Sequence, residues 1–96
     1  MIKIPGFLGS AVSSGVKKSG KLDLALIYSE VPARAAAVFT TNIVKAPPLL
    51  LGMERIKSGY CQAVLVNSGV ANAFTGKQGL QDSIVTSKHA SNELGI

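Results

Sequence analysis

Ala63-Val64-Leu65-Val66-Asn67-Ser68-Gly69-Val70-Ala71-Asn72-Ala73-Phe74-Thr75-Gly76-Lys77-Gln78-Gly79 runs from an apolar stretch straight into small polar residues and glycines. Ala63 to Val66 is a short apolar run carrying β-branched valines, the pattern of a strand buried on both faces. Asn67, Ser68 and Gly69 end it, because Asn and Ser hydrogen-bond nearby backbone and Gly permits positive φ. A second cluster, Asn72, Thr75, Gly76 and Gly79, prolongs the loop before the chain turns helical. A rigid strand that ends in such a loop delivers backbone and side-chain groups to a site.

Downstream of the loop, Leu80, Ile84, Ser87, Ser91 and Leu94 fall on one stripe of a helix expected from about Leu80 to Leu94. The small residues in that stripe predict tight packing against a sheet, and Gly95 is placed to stop the helix. Upstream, Leu22 to Tyr28 alternates, with Leu22, Leu24, Leu26 and Tyr28 on one side and Asp23, Ala25 and Ile27 on the other, which reads as a strand. Ser29-Glu30-Val31-Pro32 is expected to turn the chain, so that Ala35 to Thr40 returns as an antiparallel partner. Ala46-Pro47-Pro48 is read as extended. Leu49 to Lys57 is read as an edge strand followed by one or two helical turns closed by Gly59. Residues 5 to 21, rich in Gly and Ser, read as loop or irregular edge. Strands alternating with a helix give an α/β layered architecture in one unit spanning residues 1–96.

Ninety-six residues allow one small domain, and 47% of them are hydrophobic. A chain of this length buries only about 60 to 70% of the surface it exposes when unfolded, so part of the apolar surface is expected to lie against more protein. The net charge is +5. Its one tight cluster, Lys17, Lys18 and Lys21, is not interleaved with aromatic residues, so no nucleic-acid platform is expected. No apolar stretch approaches the roughly 20 residues of a membrane span, and the opening Met1-Ile2-Lys3-Ile4-Pro5 lacks a signal-peptide core. A single cysteine, Cys61, excludes an internal disulfide and is expected as a small buried hydrophobe beside the strand. A cytoplasmic protein follows as the expectation.

Self-contained catalysis is hard to assemble from these residues. The lone His89 sits on the expected helix beside Lys88, and the five acids, Asp23, Glu30, Glu54, Asp82 and Glu93, show no paired spacing. One Cys and one His far apart make no metal site. In the segment from Gly9 to Ser19, Ser10 and Val16 occupy places where a phosphate loop needs Gly and Lys. What remains is Asn67, Ser68, Gly69, Asn72, Thr75 and Gly76. Two readings of this set stand side by side. Its amides and backbone N–H groups line or brace a pocket that handles an amide, or its Asn side chains satisfy their own loop and cap the strand end. Asn72, Thr75 and Gly76 are the residues carried forward as substrate-binding or site-supporting; no catalytic residue, metal or cofactor is assigned.

The Asn67-Ser68-Gly69, Ala71-Asn72-Ala73 and Thr75-Gly76 run resembles the bifunctional ornithine acetyltransferases, also called glutamate N-acetyltransferases. The resemblance extends through Gly15-Val16-Lys17, Leu22-Asp23-Leu24-Ala25-Leu26-Ile27, Pro32-Ala33-Arg34-Ala35-Ala36-Ala37-Val38-Phe39-Thr40-Thr41-Asn42 and Lys45-Ala46-Pro47 upstream. Downstream it takes in Gly79, Asp82 and Glu93-Leu94-Gly95-Ile96, and so covers almost the whole chain. Val70 departs from the Asn typical of the family, and Phe74 stands where a small residue or Cys is common.

The resemblance implies the layered α/β sandwich of that fold, with only its amino-terminal portion present. It implies transfer of acetyl from N-acetylornithine to glutamate in arginine biosynthesis, with acetyl-CoA as donor in bifunctional members. In that family a precursor cleaves itself ahead of a downstream threonine, which becomes the nucleophile with its own amine as base. The threonine and the family's oxyanion Thr-Gly pair both lie beyond Ile96. The chain is thereby expected to be a scaffold, inactive alone, whose partners are the rest of the α chain, the β chain and the two small-molecule substrates. The alternative is a non-catalytic binding or assembly module that holds a partner or anion.

Overall fold

A computed structural model describes residues 3–17, 20–68 and 76–96. The elements are β1 (Phe7–Val12), β2 (Leu24–Arg34), α1 (Pro47–Arg55), β3 (Tyr60–Asn67) and α2 (Gly76–Leu94), with a short 3₁₀ turn at Ile56–Ser58 after α1. They fall into two units, Met1–Ala33 with Cys61–Ala71 and Arg34–Tyr60 with Asn72–Ile96.

The first unit is built on a three-stranded sheet in the order β1-β2-β3. β1 and β2 are antiparallel, with Phe7 opposite Ser29, Leu8 opposite Tyr28, Gly9 opposite Ile27 and Val12 opposite Leu24. Opposed residues share a face. Leu8, Val12, Leu24, Leu26 and Tyr28 therefore line one side, and Phe7, Ala11, Ala25 and Ile27 the other. At the other edge of β2, the Ser68 N–H donates to the Asp23 carbonyl at 2.8 Å and the Ala35 N–H to the Gly59 carbonyl at 2.9 Å. The end of β3 thus lies beside the start of β2, and this pair is antiparallel as well.

The expected partner for the alternating strand is corrected here. β2 runs on through Ser29-Glu30-Val31-Pro32, its partner is β1, and Ala35 to Thr40 forms no strand. Proline's fixed φ suits extended backbone as well as a turn, and the residue before it is pushed towards β geometry. Pro32 also lies past the last β1 bond, Glu30 N–H to Gly6 O at 2.9 Å, where β2 needs no donor on that side. Alanine has low strand preference, and Val38 stands 98% exposed with nothing to pair. Residues 7–12, within the stretch read as loop or irregular edge, are a regular edge strand: ladder bonds come from the backbone, so Gly9 and Ser10 conceal a strand without preventing one.

β3 forms where expected and begins earlier, at Tyr60. Its burial is not as expected. Val64 is 47% and Val66 48% exposed, and among the described residues no hydrophobic side chain is buried. Cys61 is half-buried, its thiol directed at the Ala63 carbonyl at 3.3 Å.

In the second unit, Pro47 and Pro48 open α1 instead of continuing an extended segment, and no edge strand forms. A first-turn N–H has no helical acceptor, so proline loses nothing there, and Ala46 before it is extended with ψ 144°. Gly59 ends the following 3₁₀ turn at φ 78°, its N–H on the Ile56 carbonyl at 2.9 Å, as the sequence indicates. α2 packs against α1. Leu80, Ile84, Ser87, Ser91 and Leu94 are all partly covered, while Gln81, Asp82, Val85, Thr86, Lys88 and His89 are exposed, so the helical stripe read from the sequence is the covered face. Ser83, Ser87 and Ser91 turn their hydroxyls onto carbonyls of their own helix at 2.9 to 3.0 Å, which lets small polar residues face a neighbour without unpaired groups. At the far end, Gly95 N–H bonds to Asn92 O and Ile96 N–H to Ser91 O, a Schellman closure with Gly95 at φ 71°.

Candidate functional site

Of the three residues carried forward from the sequence, Asn72 and Thr75 lie outside the described residues. Gly76 is described: it opens α2 with φ 62°, a left-handed backbone that favours glycine. It borders a hollow of about 420 Å³ within the second unit. Ile43, Pro47, Leu50 and Leu80 supply apolar wall, and Lys45 and Lys77 supply charge. Lys45 Nζ is already committed to the Asn42 carbonyl at 2.7 Å.

The other end of the loop is anchored in the first unit. Asn67 closes β3 and Ser68 follows it, both exposed in side chain, while the Ser68 N–H is held by the Asp23 carbonyl. Asp23 is the residue whose importance the sequence did not reveal. Its side chain is 3% exposed and accepts four hydrogen bonds. Ser14 N–H and Ser14 Oγ reach Oδ1, both at 2.6 Å; Val16 N–H and Lys17 N–H reach Oδ2 at 2.8 and 3.2 Å. These donors favour the charged form, Ser14 foremost, and hold the carboxyl at about 2, below its ordinary 3.8. The only sequence signal was an acid on one face of an apolar alternating strand, preceded by Ser14-Gly15-Val16-Lys17. That loop composition is what a carboxylate recruits, since Gly15 at φ 91° lets successive N–H groups converge.

No arrangement of nucleophile and base is formed among the described residues. His89 lies exposed on α2, and no group of three His, Cys, Asp or Glu among the described residues is placed to hold a metal ion. The Glu54 carboxyl is lowered by its hydrogen bond to Lys57 at 2.8 Å, an exposed pair three residues apart that adds little stability. No helix among the described residues is long and apolar enough to cross a membrane. The geometry offers a held strand end at Ser68 and open apolar surface.

Known proteins share this fold and sequence. A crystal structure of the arginine biosynthesis bifunctional protein ArgJ from Bacillus halodurans matches 96% of this chain with a TM-score of 0.92 and 43% identity, while using 48% of its own chain. The ornithine acetyltransferase of Mycobacterium tuberculosis, solved in complex with ornithine, matches 86% of this chain at TM-score 0.81 and 46% identity, over 44% of its own chain. The ArgJ protein of Syntrophotalea carbinolica is 56% identical over all 96 residues, and that of Geobacter sulfurreducens 53% identical over 94. The chain spans about a quarter (24%) of the length of these two curated relatives. The fold is the α/β fold of the amino-terminal part of ArgJ, with the antiparallel sheet and two helices in place. With the ArgJ family profile matching residues 9–96, nearly the whole sequence, the chain belongs to the ArgJ family.

Proposed function

We propose that these 96 residues are the amino-terminal scaffold of an acetyltransferase that moves an acetyl group from N-acetylornithine to glutamate in arginine biosynthesis, one of a family whose bifunctional members also take acetyl-CoA as donor. One observation carries the scaffold role: the sheet presents apolar residues on both faces, and no hydrophobic side chain among the described residues is buried. A sheet that is apolar on both faces belongs to a layered fold with protein on each side. The remaining chain of such an enzyme supplies those layers, so residues 1–96 form part of one larger acetyltransferase domain. The family names of the relatives, and the ornithine bound in one of them, support the substrate class.

In this reading the nucleophile is a downstream threonine freed by autocatalytic cleavage, and the mature cytoplasmic enzyme is a hetero-oligomer of α and β chains to which this segment contributes no catalytic group. Asn72, Thr75 and Gly76 brace the site from the loop that joins β3 to α2. The purified 96-residue chain, assayed for acetyl transfer from N-acetylornithine to glutamate, is expected to show none above the uncatalysed background. Turnover by the chain alone would overturn the scaffold reading.

A further inference from the structure

Asp23 bonds to three pieces of chain, one through its carboxylate and two through its main chain. Its four donors come from the Ser14–Lys17 connector, its own N–H donates to Val12 O at 3.0 Å at the end of β1, and its carbonyl receives the Ser68 N–H at the end of β3. We propose that Asp23 is a positioning residue: its side chain clamps the connector and, through its main chain, sets the point at which the chain leaves β3 at Ser68.

The chemistry requires a carboxylate here. Four donors converge on two oxygens, and only an acceptor-only group answers all of them. An amide of the same shape would turn its NH₂ towards the Val16 and Lys17 N–H groups, donor against donor, at a side chain only 3% exposed. Ser29, the other buried polar residue among those described, shows the contrast. Its hydroxyl closes locally on Val31 O at 2.6 Å and joins no second element. Asp23 instead joins both neighbours of β2, so a shift of its main chain moves Ser68 with it. Because each bond of the node fixes the others, loss of the side chain is felt at β3 as well as at the connector.

The catalytic part of the test rests on the acetyltransferase reading above; the exchange part does not. In the complete enzyme carrying Asp23→Asn, hydrogen exchange followed by mass spectrometry is expected to quicken in the peptides holding Ser14–Lys17 and Asn67–Ser68, with α1 and α2 unchanged. The kcat of acetyl transfer per folded enzyme should fall about tenfold or more while KM stays within about twofold. Asp23→Glu, which keeps the acceptor charge, should recover part of both effects, and Ser14→Ala, which deletes one of the four bonds, should give a weaker form of each. Faster exchange confined to Ser14–Lys17, with Ser68 and kcat as in the wild type, would overturn the proposal. Should Asp23→Asn fail to fold, Asp23→Glu and Ser14→Ala decide it by the same two readouts. A wild-type enzyme without acetyl transfer would defeat the acetyltransferase reading, and exchange at Ser68 would still judge the clamp.

Discussion

Among the described residues, hydrogen-bond donors and no counter-ion hold the charge of Asp23, and this predicts an acid-sensitive joint in the first unit. The folded carboxyl sits at about 2 against an ordinary 3.8, so the folded state prefers the ionised form. Its contribution is full above about pH 4 and is lost as pH falls towards 2, where protonation removes an acceptor site. Protection of the Ser14 and Val16 amides, taken relative to their intrinsic exchange rates at each pH, should therefore fall over that window, and Asp23→Asn should abolish the transition; an unchanged titration in the variant contradicts it. Glycine at φ 78° makes a second residue-level case. Gly59→Ala places a Cβ in a left-handed conformation and should cost about 1 kcal/mol, read as a lowered melting temperature of the complete enzyme. Asn72→Ala tests the bracing role proposed above: catalytic efficiency should fall by a factor equivalent to about 1 to 3 kcal/mol, with stability affected less. A sharp loss of melting temperature with intact turnover would leave Asn72 a structural cap. Asp23 and Asn72 also mark what sequence can convey about a site. The Asn, Thr and Gly run stands out by composition as a candidate, with Asn72 and Thr75 outside the described residues, whereas four donors from residues 14–17 meet one carboxylate only after the strand has been placed.

At the scale of elements, the covered stripe of α2 should behave as a partial core. Ile84→Ala is expected to destabilise the complete enzyme by about 1 to 2 kcal/mol, below the roughly 2 to 5 of a fully buried truncation. Val85→Ala, on the exposed side, should stay within about 0.5 kcal/mol. Equal effects in a denaturant titration would mean that the stripe does not face its neighbour. This helix was legible because a period of 3.6 survives the substitution of Ser for larger residues at 87 and 91. β3 and the Gly59 and Gly95 stops were legible for similarly local reasons. The pairing of β2 was not. Val31-Pro32 is compatible with both turn and extended chain, and the choice of β1 as partner depends on pairs 12 to 22 residues apart, from Val12 opposite Leu24 to Phe7 opposite Ser29, which no local pattern encodes. Pro47-Pro48 misled in the same way, since the geometry that forbids proline within a strand suits it to the first turn of α1.

Across the whole chain, a 47% hydrophobic composition meets a fold in which no hydrophobic side chain among the described residues is buried. Composition alone signalled the surplus, and the sheet register shows where part of it lies: Leu8, Val12, Leu24, Leu26 and Tyr28 on one face, Phe7, Ala11, Ala25 and Ile27 on the other. Burial at about 25 cal/mol per Å² makes such faces a strong drive to associate, so the isolated chain should self-associate or aggregate, as light scattering can report. A monodisperse monomer at micromolar concentration would contradict this. In the proposed reading, the rest of an ArgJ protein covers that surface. The most direct measurement is complementation: the chain is co-expressed with Syntrophotalea carbinolica ArgJ lacking the segment that matches it, and acetyl transfer from N-acetylornithine to glutamate is assayed. The account predicts no turnover from either piece alone and turnover from the two together, reduced by clamp or loop substitutions such as Asp23→Asn and Asn72→Ala. Turnover by the 96-residue chain without its complement, or by the truncated protein without the chain, would contradict it.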